Sequence, residues 1–191
     1  MSILIVFEGI DGVGKTTLAK LTAEKLGAVY YKTPPEPYNS RRAIADELPP
    51  DLRFSFYLES MFYTSREVEQ LLEQGKSVVA DRWIWSTLAY HFALDKNIQK
   101  RWFGFDWPIC KPDLSLLIFL QDRTCWLERL RSRNQISSSS DLWLEEKIDL
   151  LEQINNLFRQ INPNFILFDS SGTAEDNVKK IITIIDQNIS R

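Results

Sequence analysis

The apolar run Ile3–Val6 feeds directly into FEGIDGVGKTT, residues 7–17, and an amphipathic stretch follows at once. Gly9, Gly14, Lys15 and Thr16 stand there in the spacing G-x-x-x-x-G-K-T, which is a phosphate-binding loop between a strand and a helix. Its glycines let backbone N–H groups wrap an anion, and the new helix aims its positive end at the same point. The expected nucleoside-triphosphate-binding residues are therefore Gly9, Ile10, Asp11, Gly12, Val13, Gly14, Lys15, Thr16 and Thr17. Lys15 reaches the outer phosphates, and the Thr16 hydroxyl suits Mg²⁺. Such a loop needs a strand beneath it and a helix beyond it, which narrows the folds open to the rest of the chain.

The remaining pattern agrees. Ile3–Phe7, Ala28–Lys32, Ser77–Ala80, Leu114–Leu120 and Phe165–Phe168 are short, apolar and rich in β-formers, as buried strands are. Amphipathic stretches between them predict helices over Lys15–Leu26, Arg53–Glu73, Ile84–Leu94, Thr124–Arg131, Leu142–Ile161 and Ala174–Asn188. Alternating strands and helices imply a parallel five-stranded sheet in a three-layer α/β/α P-loop NTPase fold. Pro34, Pro35, Pro37, Pro49 and Pro50 break the region after the second strand into loop with room for one short helix. Ser137–Ser140, preceded by Arg129, Arg131 and Arg133, reads as a mobile basic lid at about 131–141.

The chain has 191 residues and 44% hydrophobic content, enough for one core and a single domain over 1–191. Its 23 basic and 26 acidic residues leave a formal charge of −3, which advertises neither a nucleic-acid nor a membrane surface. Cys110 and Cys125 lack a histidine cluster that would make a zinc site, and two lone thiols fit a reducing cytoplasm. No basic leader or long apolar segment opens the sequence, so a cytoplasmic enzyme is expected.

In parallel sheets of this kind ligands bind beyond the carboxyl ends of the strands. Strand one leads there to Glu8 and Asp11, strand two to Thr33 and Glu36, and strand three to Asp81 and Arg82. Asp81 is placed to organise Mg²⁺ or its waters, and Arg82 to grip a phosphate bidentately. A mutual Asp81–Arg82 ion pair closing the strand is the competing reading.

FEGIDGVGKTT, DRWIWSTLAYH and KPDLSLLIFL, in this order and spacing, resemble the thymidylate kinases, which phosphorylate dTMP with ATP. The similarity runs from Ile3 to the final helix. It implies that Asp11 contacts the 3′-hydroxyl of the acceptor sugar and that Asp81 and Arg82 sit by the acceptor phosphate and metal. MFYTSREV resembles the helix that forms the thymine pocket, with Phe62 stacking on the base and Arg66, one turn later, bonding its carbonyl. Spacing alone leaves Phe62 equally open as a core aromatic and Arg66 as a surface ion-pair partner. Ser86, Thr87 and Tyr90 match positions lining the base and sugar, with the Tyr90 ring crowding a 2′-hydroxyl. His91 stands where many relatives carry Gln, and both a base-edge contact and a solvated histidine are open. Trp83, Trp85, Trp102, Trp107 and Trp143 read as core or interface residues.

Two departures stand out. The family's loop after strand two appears here as TPPEPYNSRR: Glu36 and Pro37 match, so Glu36 remains a substrate-binding candidate, but Pro35 replaces an arginine and Tyr38-Asn39 a glycine pair. Arg41 or Arg42 would supply the missing phosphate contact. Val13 is neutral where one branch of the family carries a catalytic arginine, so the resemblance assigns that charge to Arg129 and Arg133 of the lid. Cations that merely suit a helix end are the alternative for these two. The resemblance also implies a homodimer packed through helices.

An acceptor that is itself a monophosphate suits this set of residues. With a second pKa near 6 it is largely dianionic at neutral pH, and its oxygen attacks without a general base. Lys15, Arg82, Arg129 and Arg133 then act catalytically by neutralising charge around the moving phosphoryl group. A deoxynucleoside kinase would instead aim a carboxylate at a sugar hydroxyl, a role open to Asp81. No N-K-x-D sequence for guanine reading occurs, which argues against a GTPase switch. A catalytically inactive nucleotide-binding protein is the non-enzymatic alternative.

Overall fold

A computed structural model describes residues 2–134 and 141–189, without the side chains of 133, 134 and 141–147. Five strands, β1 (Leu4–Glu8), β2 (Val29–Lys32), β3 (Val78–Asp81), β4 (Leu114–Phe119) and β5 (Ile166–Asp169), form one sheet in the order β2-β3-β1-β4-β5. Every pairing is parallel. Burial follows that order. β1, flanked on both sides, is buried at all five positions, whereas the edge strand β2 has no fully buried residue and the edge strand β5 has one, Phe168.

The helices are α1 (Lys15–Leu26), α2 (Tyr38–Asp46), α3 (Pro50–Glu73), α4 (Ile84–Leu94), α5 (Lys96–Trp102), α6 (Arg123–Asn134), α7 (Asp141–Ile161) and α8 (Ala174–Ile189). α1 and α8 pack on one another, while α3 and α7 both pack on α4 in a second helical group, so the sheet has a layer on either side. Phe7, Trp83, Phe92 and Phe158 are among the largest wholly buried side chains. At about 25 cal/mol per Å² of apolar surface removed from water, such packing is the main driving term.

The expected strands and helices are present, Lys15–Leu26 and Ile84–Leu94 at the expected bounds and the others with ends shifted by at most three residues. Two short helices were not placed by the sequence reading. α2 lies inside the proline-rich loop, where room for one short helix had been left. α5 begins where Asp95 turns its side chain onto the Asn97 and Ile98 N–H groups, at 2.7 and 3.3 Å, a side-chain cap at the helix start.

Register brings the sheet's functional ends level. Phe7 and Lys32 both lie opposite Asp81, and Glu8 lies opposite Leu117. Chain leaving β1, β2 and β3 therefore emerges at one edge, between the helix layers.

Candidate active site

The loop from β1 to α1 takes a shape that side chains would obstruct at two places. Gly9 has φ +138°, and a Cβ there would fall 2.3 Å from the Ile118 carbonyl oxygen of β4. Gly12, at φ +88°, lies against the Trp126 indole, where a Cβ would stand 3.1 Å from the ring. Trp126 donates from Nε1 to the Asp11 carbonyl oxygen at 2.8 Å, and Ser170 donates to the Val13 carbonyl oxygen at 2.7 Å. The loop is thus held from outside by α6 and by the chain after β5.

Inside the loop, Lys15 donates to the Ile10 carbonyl oxygen at 2.8 Å and is buried. Burial, assisted by the nearby Arg82 cation, lowers its pKa to about 7 against the pull of Asp11, Asp81 and Glu8. Incoming phosphates would restore the full charge. Thr16 donates to the Asp81 carboxylate at 2.6 Å, and the Tyr30 hydroxyl donates to the same oxygen at 3.0 Å. Thr17 is exposed on α1.

Arg82 pairs with Asp11 at 2.6 Å rather than with its neighbour Asp81, so the competing ion-pair reading does not hold. It also donates to the Ser86 hydroxyl at 3.0 Å, and its guanidinium lies 5.3 Å from the Tyr90 ring centre. Its backbone is left-handed, φ +78°, which costs a side-chain-bearing residue about 1–2 kcal/mol. Glu8 helps hold that turn: wholly buried, it accepts from the Trp83 and Ser86 N–H groups, each at 2.9 Å, and from the Ser86 hydroxyl. Burial raises Glu8 to about pKa 7 although the Ser86 bond opposes it.

These groups line a cavity of about 630 Å³. Asp11, Lys15, Thr16, Asp81, Arg82, Ser86, Thr87 and Tyr90 all reach it, and so do Thr33, Arg42 and His91. Arg129 approaches the nucleotide loop from α6; a Cβ on Gly14 would lie 3.9 Å from its guanidinium. The Arg133 and Trp143 side chains and residues 135–140 of the expected lid lie outside the described residues.

Three expected substrate residues are placed elsewhere. Phe62 packs on Trp107, ring centres 6.5 Å apart, and Arg66 is exposed; neither lines the cavity. The reason is helical phase. Arg53, Tyr57, Ser60 and Met61 of α3 form the lining face at i, i+4, i+7 and i+8, and Phe62 lies a further 100° round the axis. Glu36 is exposed at the start of α2, where it accepts from the Asn39 side chain at 3.0 Å and the Ser40 N–H at 3.2 Å. Arg42 rather than Arg41 reaches the cavity.

Of the other tryptophans, Trp83 is buried and also lines the cavity, Trp85 packs on Phe165, and Trp102 and Trp107 share an aromatic cluster with Phe105. Sequence reading missed Trp126, Tyr30, Arg53 and Tyr57. A proline-rich insertion opposite an aromatic-rich helix start was the only signal for the last two. Among the described residues no helix is long and apolar enough to cross a membrane.

Comparison with known proteins gives a consistent result. The thymidylate kinase family model matches residues 7–181. A probable thymidylate kinase from Archaeoglobus fulgidus is 29% identical over 96% of this chain and 94% of its own length. Human mitochondrial UMP-CMP kinase 2 is 27% identical over 98% of this chain, which spans 43% of that protein. Among solved structures, a thymidylate kinase from Candida albicans shares the fold with a TM-score of 0.75, at 20% identity over 98% of this chain and 92% of its own.

Proposed function

The chain belongs to the thymidylate kinase family, and from that premise we propose that it transfers the γ-phosphoryl group of ATP to dTMP, giving dTDP for dTTP synthesis. One observation carries the reading: a phosphate-binding loop and the Asp11–Arg82 pair open onto one cavity large enough for a nucleotide. ATP phosphates would lie on the loop with Lys15 at their outer end. Arg82 would hold the acceptor phosphate opposite them, Asp11 would meet the sugar, and Tyr90 would bias the site against ribose.

The acceptor dianion needs no base, so alignment and charge neutralisation are the protein's whole task. Thr16 and Asp81 supply neighbouring hard oxygens of the type Mg²⁺ takes together with waters and phosphate oxygens. When bound, the ion neutralises phosphate charge. Family membership supports a homodimer, and the free thiols Cys110 and Cys125 support a reducing cytoplasm.

Release of ADP from Mg·ATP against a panel of nucleosides and monophosphates tests the assignment. dTMP should be the best acceptor and thymidine nearly inert, since Arg82 would have no phosphate to hold. Thymidine exceeding dTMP would replace this reading with a nucleoside kinase.

The charge that the neutral Val13 cannot supply is assigned to the lid side. Arg129, already beside Gly14, and Arg133 would place guanidinium groups on the equatorial oxygens as the phosphoryl group moves. Arg129→Ala should lower kcat at least ~10-fold with a smaller change in ATP affinity, because the contact strengthens in the transition state. Near-normal kcat in an Arg129→Ala, Arg133→Ala double variant would remove the lid from the mechanism.

A further inference from the structure

The start of α4 is capped from a distance. Its N-cap residue is Trp83, whose indole can only donate, so no acceptor is supplied locally. Glu8 of β1, 75 positions away, takes that role, its Oε1 accepting from the Trp83 and Ser86 N–H groups, each at 2.9 Å. These are the N-cap and N3 donors, the pair that a local capping box satisfies with two side chains of the helix itself. A carboxylate also suits the positive end of the helix. The turn so pinned holds Arg82, the residue before the cap, at φ +78°.

The other carboxylate oxygen has a different partner. An ionised carboxylate only accepts, so the Ser86 hydroxyl gives its single proton to Glu8 Oε2. A guanidinium only donates, so the same hydroxyl must turn a lone pair to Arg82, whose Nη1 lies 3.0 Å away. The bonds therefore run in one direction, from Arg82 to Ser86 to Glu8, and the last group sets the orientation of the middle one. Arg82 Nη2 is held separately by Asp11 at 2.6 Å, so the guanidinium fork is fixed from two sides. Glu8 itself is wholly buried, out of reach of either substrate.

We propose that Glu8 is a positioning residue for the acceptor phosphate: it fixes the backbone turn of Arg82 and, through Ser86, the direction in which that guanidinium points. Its two oxygens divide the task. Oε1 holds the backbone, and Oε2 holds the hydroxyl on which the arginine rests. A fork aimed in advance meets a phosphate with little ordering left to do. The assignment rests on the monophosphate-kinase reading and names what aims its phosphate-binding arginine.

Glu8→Gln tests this, because it keeps the shape and an acceptor for both N–H groups but sets an amide donor against the Ser86 oxygen. Assays at pH 8 keep the wild-type carboxyl ionised, since burial raises it to about pKa 7. kcat/KM for dTMP should fall at least ~10-fold, the scale of one hydrogen bond to a charged group, while the KM for ATP stays within about threefold. In a Ser86→Ala background the same substitution should change kcat/KM less than ~3-fold, because the chain of bonds is already broken. Losses that multiply in the double variant, or that fall equally on dTMP and ATP, would overturn the assignment and leave the kinase reading in place. Should Glu8→Gln fail to fold by circular dichroism, Ser86→Ala decides. It should cost at least ~10-fold for dTMP in the wild-type background and less than ~3-fold in Arg82→Ala. A loss that persists without the arginine, or no loss at all, overturns the assignment. If the wild-type protein phosphorylates no monophosphate, both readings fall.

Discussion

Lys15→Ala should give a folded protein whose turnover with ATP and dTMP falls at least ~1,000-fold, the scale of removing a central charge from a phosphoryl-transfer site. The fold does not depend on this lysine. Its one hydrogen bond is to the Ile10 carbonyl oxygen, and burial already works against its charge. Removing a desolvated cation from the start of α1 costs little packing, whereas the phosphates lose the group that follows their charge as it shifts towards the leaving oxygen. Far-UV circular dichroism and ADP release, measured on the same preparation, separate the two effects. A folded variant within tenfold of wild-type turnover would remove Lys15 from the mechanism.

Arg82→Ala should lower kcat/KM for the monophosphate by ~100–1,000-fold, with most of the loss confined to that substrate. The guanidinium is pre-positioned by Asp11, Ser86 and the face of Tyr90, so little ordering remains to be done when a phosphate arrives. Arg82→Lys retains charge but not the planar fork, and at least ~10-fold of the loss should persist. Steady-state titrations of dTMP at saturating ATP, and of ATP at saturating dTMP, distinguish acceptor binding from donor binding. Equal losses on both sides would mean that the residue only shapes the loop, through its pair with Asp11.

Much of the donor side was readable because its chemistry is local. Strand, glycines, Lys15 and Thr16 follow one another within a few residues, and the spacing encodes the geometry. Strand ends also predicted that Asp11, Asp81 and Arg82 would meet, since register in a parallel sheet aligns the carboxyl ends. What sequence could not supply was partner choice across long separations. Arg82 pairs with Asp11, 71 positions away, and not with the adjacent carboxylate. On the acceptor side placement depends on helical phase: α3 begins at Pro50, and the turn that faces the cavity is set by packing against α4 rather than by motif. Phe62 therefore meets Trp107, and Tyr57 takes the cavity side. Glu36 was likewise diverted, because an exposed carboxylate at a helix start satisfies nearby donors. His91 was left undecided because its role depends on which nitrogen carries the proton, and that is fixed by a carbonyl one helical turn back.

The two indoles that touch the cavity and its loop give the protein a further property. Trp126 is hydrogen-bonded to the loop that would cradle ATP, whereas Trp83 is buried in the wall of the acceptor cavity. Indole emission depends on the fields and dipoles beside the ring, so charge arriving at the loop would shift the Trp126 contribution. Replacing Trp126 with phenylalanine leaves the five other indoles in place, so the part of an ATP-induced emission change that this substitution abolishes reports the loop itself.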